Sequence, residues 1–379
     1  MQPELEDFWA WSQPWDSFLL HSQTKEMHIL YGVAGEGLGH AMRSAVVAEH
    51  LENQGHDVRF VSSGSAYRYL NTRWPGKVIG VLGLRTVMSG NAIMPFTTMV
   101  SNVLKQTFGP ITHAGTFIGV SMGGKPDIVI SDFEPWTARY ASFSKIPLIA
   151  LDNIHFMNRC EHPPYVVAND RTAAAIMYPT VNTMVPNARR YMVTTFASAG
   201  VAKPNTTLHL PILRKNILNA VINPNDHVTV YFNEDSNHEG IVDVLQKVPY
   251  NFIVYGNKFI NQPTTVGNVT LKPFSETQFI LDLASSSAVI GGAGFTLMSE
   301  CIYLGKPLLA VPFGAHFEQI LNANYLEMMG YGQRCRAFEP GTVEGFLKSA
   351  PSYKHRLSMF RHDGNRELLQ AVSSAIVAA

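Results

Sequence analysis

The sequence predicts an α/β protein of two doubly wound, largely parallel sheets, and three observations predict it. Two series of five short apolar runs occur along the chain, helical patterns separate them, and a break rich in Gly, Pro, Asn and Thr at 197–216 divides the series. Continuous apolar runs suit strands covered by helices on both faces, and strands alternating with helices make βαβ units. In such sheets ligands sit beyond the carboxyl ends of the strands. Two facing sheets therefore enclose one cleft.

The first series is HILYGV (28–33), DVRFVS (57–62), DIVIS (127–131), PLIAL (147–151) and YMVTTF (191–196). The second is HVTVYF (227–232), NFIVYG (251–256), NVTLK (268–272), SAVIGG (287–292) and PLLAVP (307–312). Helices over Arg43–Asn53, Glu276–Ser285 and Thr296–Leu304 exemplify the stretches between them. We expect an N-terminal arm (1–26), a Rossmann-like domain (27–208), a second such domain (209–352), and a terminal helix (353–379) that packs back on the first. The boundary falls near 205–215, and no repeat of about 20–50 residues and no low-complexity tract occurs.

Composition narrows the function classes. Apolar residues make up 46% of the 379 and charged residues 15%; Lys+Arg and Asp+Glu total 29 each. Zero net charge argues against non-specific nucleic-acid binding, which needs excess cations. Cys160, Cys301 and Cys335 are odd in number and far apart, which fits reduced thiols in the cytoplasm rather than a disulfide framework or zinc cluster. No uncharged apolar run reaches the ~18 residues of a membrane span. Residues 1–26 lack the pattern of a secretion signal but carry Trp9, Trp11 and Trp15. They read as an arm packed on the surface, or as one that touches a partner or membrane. Residues 88–120 are uncharged apart from Lys105. They read as buried helix, as an apolar acceptor surface, or as a peripheral membrane contact.

Two glycine loops carry the chemistry. In AGEGLGH the strand ending near Val33 meets Gly35, Gly37, Gly39 and His40, with a helix from about Ala41. The spacing is not the dinucleotide G-x-G-x-x-G, and the second strand ends in Ser62 and Ser63 rather than an acid, which disfavours NAD. The second loop, GGAGFT, follows the strand at 287–292 and opens a helix for which Thr296 is a plausible N-cap. Helix-start N–H groups there suit a diphosphate. Glu300 lies one turn in, and His316, Glu318 and Gln319 follow the next strand, where polar groups meet sugar hydroxyls.

The segment 268–332, with KPFSE ahead of its helix, resembles the donor half of GT-B glycosyltransferases. Within them it is similar to glycosyltransferase family 28, the group of the peptidoglycan N-acetylglucosamine transferase, whose N-terminal loop GEGLGHAMRS resembles. The likeness covers about residues 27–350. It implies that Gly291, Gly292, Ala293, Gly294, Phe295 and Thr296 hold the nucleotide diphosphate. Ser299 and Glu300 match the family's helix pair, with Glu300 on ribose, and His316, Glu318 and Gln319 match donor-sugar contacts. HFEQ departs from the family's usual Asp-x-x-Gln-Gln, so the pairing of hydroxyls to groups is open. Phe274 would lie beside the base, unless it is core. Arg214 would lie near the phosphates, unless it is a surface cation.

Sugar transfer needs a stabilised leaving diphosphate and a base for the acceptor hydroxyl. No D-x-D occurs, which fits an enzyme needing neither metal nor other cofactor. His40 is the first candidate base, Asp132 the second and His155 the third, with Asp152 or another Asp as an orienting partner; Glu134 joins the glycine loop on the acceptor side. The resemblance implies an inverting hexosyl transfer from a nucleotide sugar, UDP-linked first, to an acceptor of lipid-linked or cell-envelope glycan type. A 2-epimerase of the same architecture and a non-catalytic nucleotide-sugar binder stand as the other readings.

Overall fold

The computed structural model describes residues 25–83, 88–89, 92–93, 115–116, 119–120 and 123–379, apart from 169, 233–235, 258 and 315. The tryptophan-bearing part of the arm and most of 88–120 lie outside the described residues.

The N-terminal sheet holds β1 (His28–Val33), β2 (Asp57–Ser62), β3 (Val78–Gly80), β4 (Ile128–Asp132), β5 (Leu148–Asp152), β6 (Arg190–Thr194) and β7 (Thr206–His209), in the order β3-β2-β1-β4-β5-β6-β7. Every neighbouring pair is parallel. The C-terminal sheet holds β8 (His227–Tyr231), β9 (Asn251–Tyr255), β10 (Thr264–Val266), β11 (Val269–Leu271), β12 (Ala288–Gly292), β13 (Leu308–Val311) and β14 (Gly332–Arg334), in the order β10-β11-β9-β8-β12-β13-β14. Only β10 runs antiparallel to its neighbour. Each of the ten apolar runs of the sequence lies on a strand.

The longer helices are α1 (Gly39–Asn53), α2 (Gly64–Arg73), α3 (Pro135–Ser144), α4 (Arg171–Met184), α5 (His238–Leu245), α6 (Glu276–Ser285), α7 (Phe295–Tyr303), α8 (Phe317–Met329), α9 (Pro340–Leu357) and α10 (Arg366–Val377). No helix among the described residues is long and apolar enough to cross a membrane. The inner strands of both sheets are buried nearly throughout, because helices cover both faces. Helix α10 returns to the first sheet: Leu368, Val372, Ala375 and Ile376 share a core with Ile29, Tyr31 and Phe60. His50 and Ser373 are bonded at 2.9 Å across that junction. The largest core runs from one lobe into the other, joining Leu30 and Val129 to Phe295, Met298 and Leu321. All three cysteines are buried and unpaired, and burial pushes their thiols upward, Cys160 to about 12 and Cys335 to about 11.

Sheet order reverses between β1 and β4 in the first lobe and between β8 and β12 in the second. These switch points open toward ligands at the strands' carboxyl ends. Both glycine loops leave from them.

Candidate active site

Asp132 ends β4 directly beside Val33, the last residue of β1, so the carboxylate emerges where the first glycine loop begins. Phe133 follows with φ 53, a left-handed turn that breaks the strand. Glu134 then caps α3: its carboxylate accepts from Trp136 N at 3.0 Å and from Thr137 N at 2.6 Å, with Pro135 in the first turn. Glu134 is 5% exposed. That position differs from the acceptor-side role expected of it, since the cap takes up both oxygens.

Helix α1 starts at Gly39, two residues earlier than expected, so His40 sits in its first turn rather than in the loop. His40 and Arg43 are three apart and share a helix face, which turns toward Asp132. His40 Nδ1 lies 2.8 Å from Asp132 Oδ1. Arg43 donates through Nε to Oδ2 at 2.7 Å and through Nη2 to Oδ1 at 2.5 Å, and Ser44 Oγ adds a bond at 3.2 Å. Nη2 also lies 2.7 Å from His40 Nδ1, because both groups donate to the same oxygen. Burial pushes the Asp132 carboxyl up, but the Arg43 guanidinium and His40 outweigh it and hold it well below the usual range. A permanent anion there favours the His40 tautomer with Nδ1–H on Asp132, leaving Nε2 as a proton acceptor. His40 keeps 16% of its side chain exposed while Asp132 keeps none. The sequence offered these two as rivals; the fold makes them partners.

His155 goes elsewhere. Its Nδ1 is 2.7 Å from Asp152 Oδ2, the pairing the sequence allowed, but the residue is 1% exposed and packed edge-on against Phe133 and Tyr191. The imidazole lies in the core, its Nε2 buried without a partner among the described residues. Asn153, between them, points the other way. Its Oδ1 accepts from Arg43 Nη1 at 2.5 Å and its Nδ2 donates to Glu318 Oε1 at 2.9 Å in the opposite lobe.

In the second lobe, Gly294 rather than Thr296 is the N-cap of α7, with no side-chain cap bond. The first N–H groups of this helix are therefore left to a ligand or water. Cβ atoms at Gly291 and Gly292 would meet Tyr231 O at 2.8 Å and the Phe313 ring at 2.9 Å, whereas one at Gly294 would meet nothing. Packing thus demands the first two glycines, and the third leaves the helix start open. Asn322 steadies the loop through Ala293 O at 3.3 Å. Phe295 is buried and stacked on Phe196 of the other lobe at 5.9 Å. Ser299 Oγ bonds back to Phe295 O at 2.8 Å inside the helix.

Glu300 and Arg214 are both buried and form a two-pronged pair, Nε–Oε1 at 2.7 Å and Nη2–Oε2 at 2.8 Å. Arg214 also reaches Glu276 at 2.8 Å. Burial pushes the Glu300 carboxyl up against the pull of Arg214. Arg214 is thus no surface cation, and Glu300 spends both oxygens on it in this state. Phe274 is 49% exposed in the loop before α6, its ring tilted against Tyr231 at 6.2 Å, and so is not core. His316 occupies the N-cap position of α8, its Nδ1 buried without a partner among the described residues. Gln319 Oε1 accepts from Phe313 N at 3.0 Å and so holds the preceding loop.

The two glycine loops touch. A Cβ on Gly39 would lie 2.6 Å from Thr296 Oγ1, so the residue before His40 abuts the first turn of α7. Gly37 takes φ 72, and a Cβ on Gly35 would strike Ser63. The three opening glycines thus serve a turn and two close approaches, one of them across the cleft. Sequence reasoning missed Arg43; its spacing from His40 was the available signal.

The chain is similar to several solved glycosyltransferases across 93% of its length. These include the kitacinnamycin glycotransferase (16% identity, 97% of that chain, TM-score 0.62). Others are a UDP-glucosyltransferase from Polygonum tinctorium that glucosylates indoxyl (15%, 99%, 0.62) and the calicheamicin glycosyltransferase (16%, 95%, 0.59). At such identities the likeness is one of fold, and the fold is GT-B. An uncharacterized glycosyltransferase of Methanosarcina acetivorans is 22% identical over 358 residues, covering 84% of this chain and 88% of the relative. The family whose pattern matches is family 1, where the motifs resembled family 28. Because that match runs over residues 27–351, through both lobes and the cleft between them, the chain belongs to glycosyl transferase family 1 and is a glycosyltransferase.

Proposed function

We propose that the chain transfers a hexosyl group from a nucleotide-diphosphate sugar to an acceptor hydroxyl, with inversion and without a metal. The observation that carries this reading is the His40–Asp132 pair, 2.8 Å apart, with His40 directly after the Gly39 that abuts the uncapped start of α7. Nε2 of His40 takes the acceptor proton as the acceptor oxygen bonds to the anomeric carbon. The bond from that carbon to the diphosphate breaks, and its electron pair leaves with the phosphate. Asp132 orients the imidazole and stabilises the cation it becomes. The open N–H groups of α7, with its dipole, face the charge that grows on the leaving group. Phe274 would carry the base and Glu318 the sugar. The UDP-glucosyltransferase among the structural relatives makes UDP the first donor to test.

The test is a panel of UDP-sugars, each with and without lipid-linked and small aromatic acceptors, followed by UDP release with EDTA present. A bound donor at 100 times its Kd raises stability by about 2.7 kcal/mol, so thermal shift ranks donors first. We expect acceptor-dependent release that His40→Ala and Asp132→Asn lower by about 10²–10⁴-fold with UDP binding kept. Release that ignores His40→Ala refutes the assigned base, and UDP-N-acetylglucosamine epimerised without acceptor refutes transfer.

A further inference from the structure

Glu318 and His40 stand on opposite lobes, yet one unbroken chain of hydrogen bonds joins them. Glu318 Oε1 accepts from Asn153 Nδ2, and Asn153 Oδ1 accepts from Arg43 Nη1. The Arg43 fork then grips both oxygens of Asp132, and Asp132 Oδ1 meets His40 Nδ1. Every link except the two ends is buried: Arg43, Asp132 and Asn153 are at most 4% exposed.

We propose that Asn153 is a positioning residue that couples recognition of the donor's sugar to the placement of the base. An amide suits these neighbours, since it donates to the carboxylate on one side and accepts from the guanidinium on the other. The bond holds Glu318 with one oxygen anchored, and Oε2, which makes no hydrogen bond among the described residues, remains for a sugar hydroxyl. The same amide fixes Nη1 of Arg43, and so the plane of the guanidinium that orients Asp132. Glu318 is therefore in place for the sugar only when the lobes are closed and the base is set. Discrimination against a bare nucleotide follows, because UDP has no sugar to engage Glu318. The inference rests on the glycosyl-transfer reading above.

The experiment measures donor KM and kcat, and UDP affinity by calorimetry, for wild type, Asn153→Asp, Asn153→Ala, Glu318→Gln and the Asn153→Ala/Glu318→Gln pair. Asn153→Asp is isosteric and keeps an acceptor for Arg43, but sets a second carboxylate against Glu318. We expect it to raise donor KM about tenfold or more, as loss of a charge-assisted bond does, with UDP Kd within about twofold of wild type. We expect Asn153→Ala to lower kcat as well. In its background Glu318→Gln should cost at least about threefold less than in wild type, as residues of one network do. Retained UDP affinity also shows that each variant is folded. The inference is overturned if the Asn153→Ala and Glu318→Gln losses multiply independently. It is overturned too if Asn153→Asp leaves donor KM unchanged or weakens UDP and donor alike. A wild type that releases no UDP from any sugar donor overturns the transfer reading itself.

Discussion

Replacing Arg43 by methionine keeps an unbranched apolar stem and removes the guanidinium. In the native site that group makes two bonds to Asp132, at 2.7 and 2.5 Å, and one to Asn153 at 2.5 Å. Asp132 is 0% exposed, so it cannot turn to water when its partner goes. Removing one member of a buried ion pair costs about 3–5 kcal/mol, because the other charge stays desolvated. Removing both charges is far cheaper. We therefore expect Arg43→Met to lower the stability of the N-terminal lobe by about 3–5 kcal/mol, and Arg43→Met/Asp132→Asn to lie nearer wild type than Arg43→Met alone. Urea titration followed by circular dichroism at neutral pH reads both numbers. A single variant within about 1 kcal/mol of wild type, the scale of an exposed pair, refutes the reasoning. So does a double variant that loses the full sum of the two single effects.

Three further outcomes follow from the same geometry. Asp132 is held well below an unfolded aspartate, so on acidification the unfolded chain takes the proton first. Its stabilising contribution is complete above about pH 5 and is lost as pH falls through about 4 and below; the urea-midpoint gap between wild type and Asp132→Asn should shrink from pH 6 to pH 3, and a constant gap contradicts this. Gly39→Ala puts a Cβ 2.6 Å from Thr296 Oγ1, so the Thr296 side chain or the lobe behind it must shift, and we expect kcat/KM to fall. Relative to Thr296→Ala alone, adding Gly39→Ala should cost less than it does in wild type, and an equal cost excludes the contact as its cause. Phe274→Ala removes a half-exposed ring, so the melting temperature should barely move while UDP affinity falls about tenfold, the scale of one base-stacking contact. Unchanged calorimetric affinity removes Phe274 from the base site.

The ten strands read from the sequence are those inside the two sheets, where helices on both faces demand continuous apolar runs. Within those two sheets the four that escaped, β3, β7, β10 and β14, are the edge strands. Edge strands such as VIG at 78–80 and TTV at 264–266 are short and half or fully exposed, so nothing selects an apolar run there. Strand β7 falls within the Pro- and Asn-rich stretch at 197–216, where turn residues mask it. Helix starts shifted for a related reason: Leu38 and Gly294, the N-caps of α1 and α7, make no side-chain cap bond, and such a cap is the signal that local reading depends on.

By itself, the order of residues determined that there are two layered lobes, that a glycine loop leads each switch point, and that His40 and Asp132 are candidates for one reaction. Periodicity and turn chemistry act over a few residues, so they suffice for that much. What only the tertiary structure decided is which candidates meet. The pairing of β1 with β4 brings Asp132 beside His40 across 92 positions of sequence, and closure of the lobes brings Glu318 to Asn153 across 165. The same packing shuts His155 and Glu134 inside the first lobe. Such contacts depend on strand order and on the seating of one domain against another, and no local pattern of side chains encodes either.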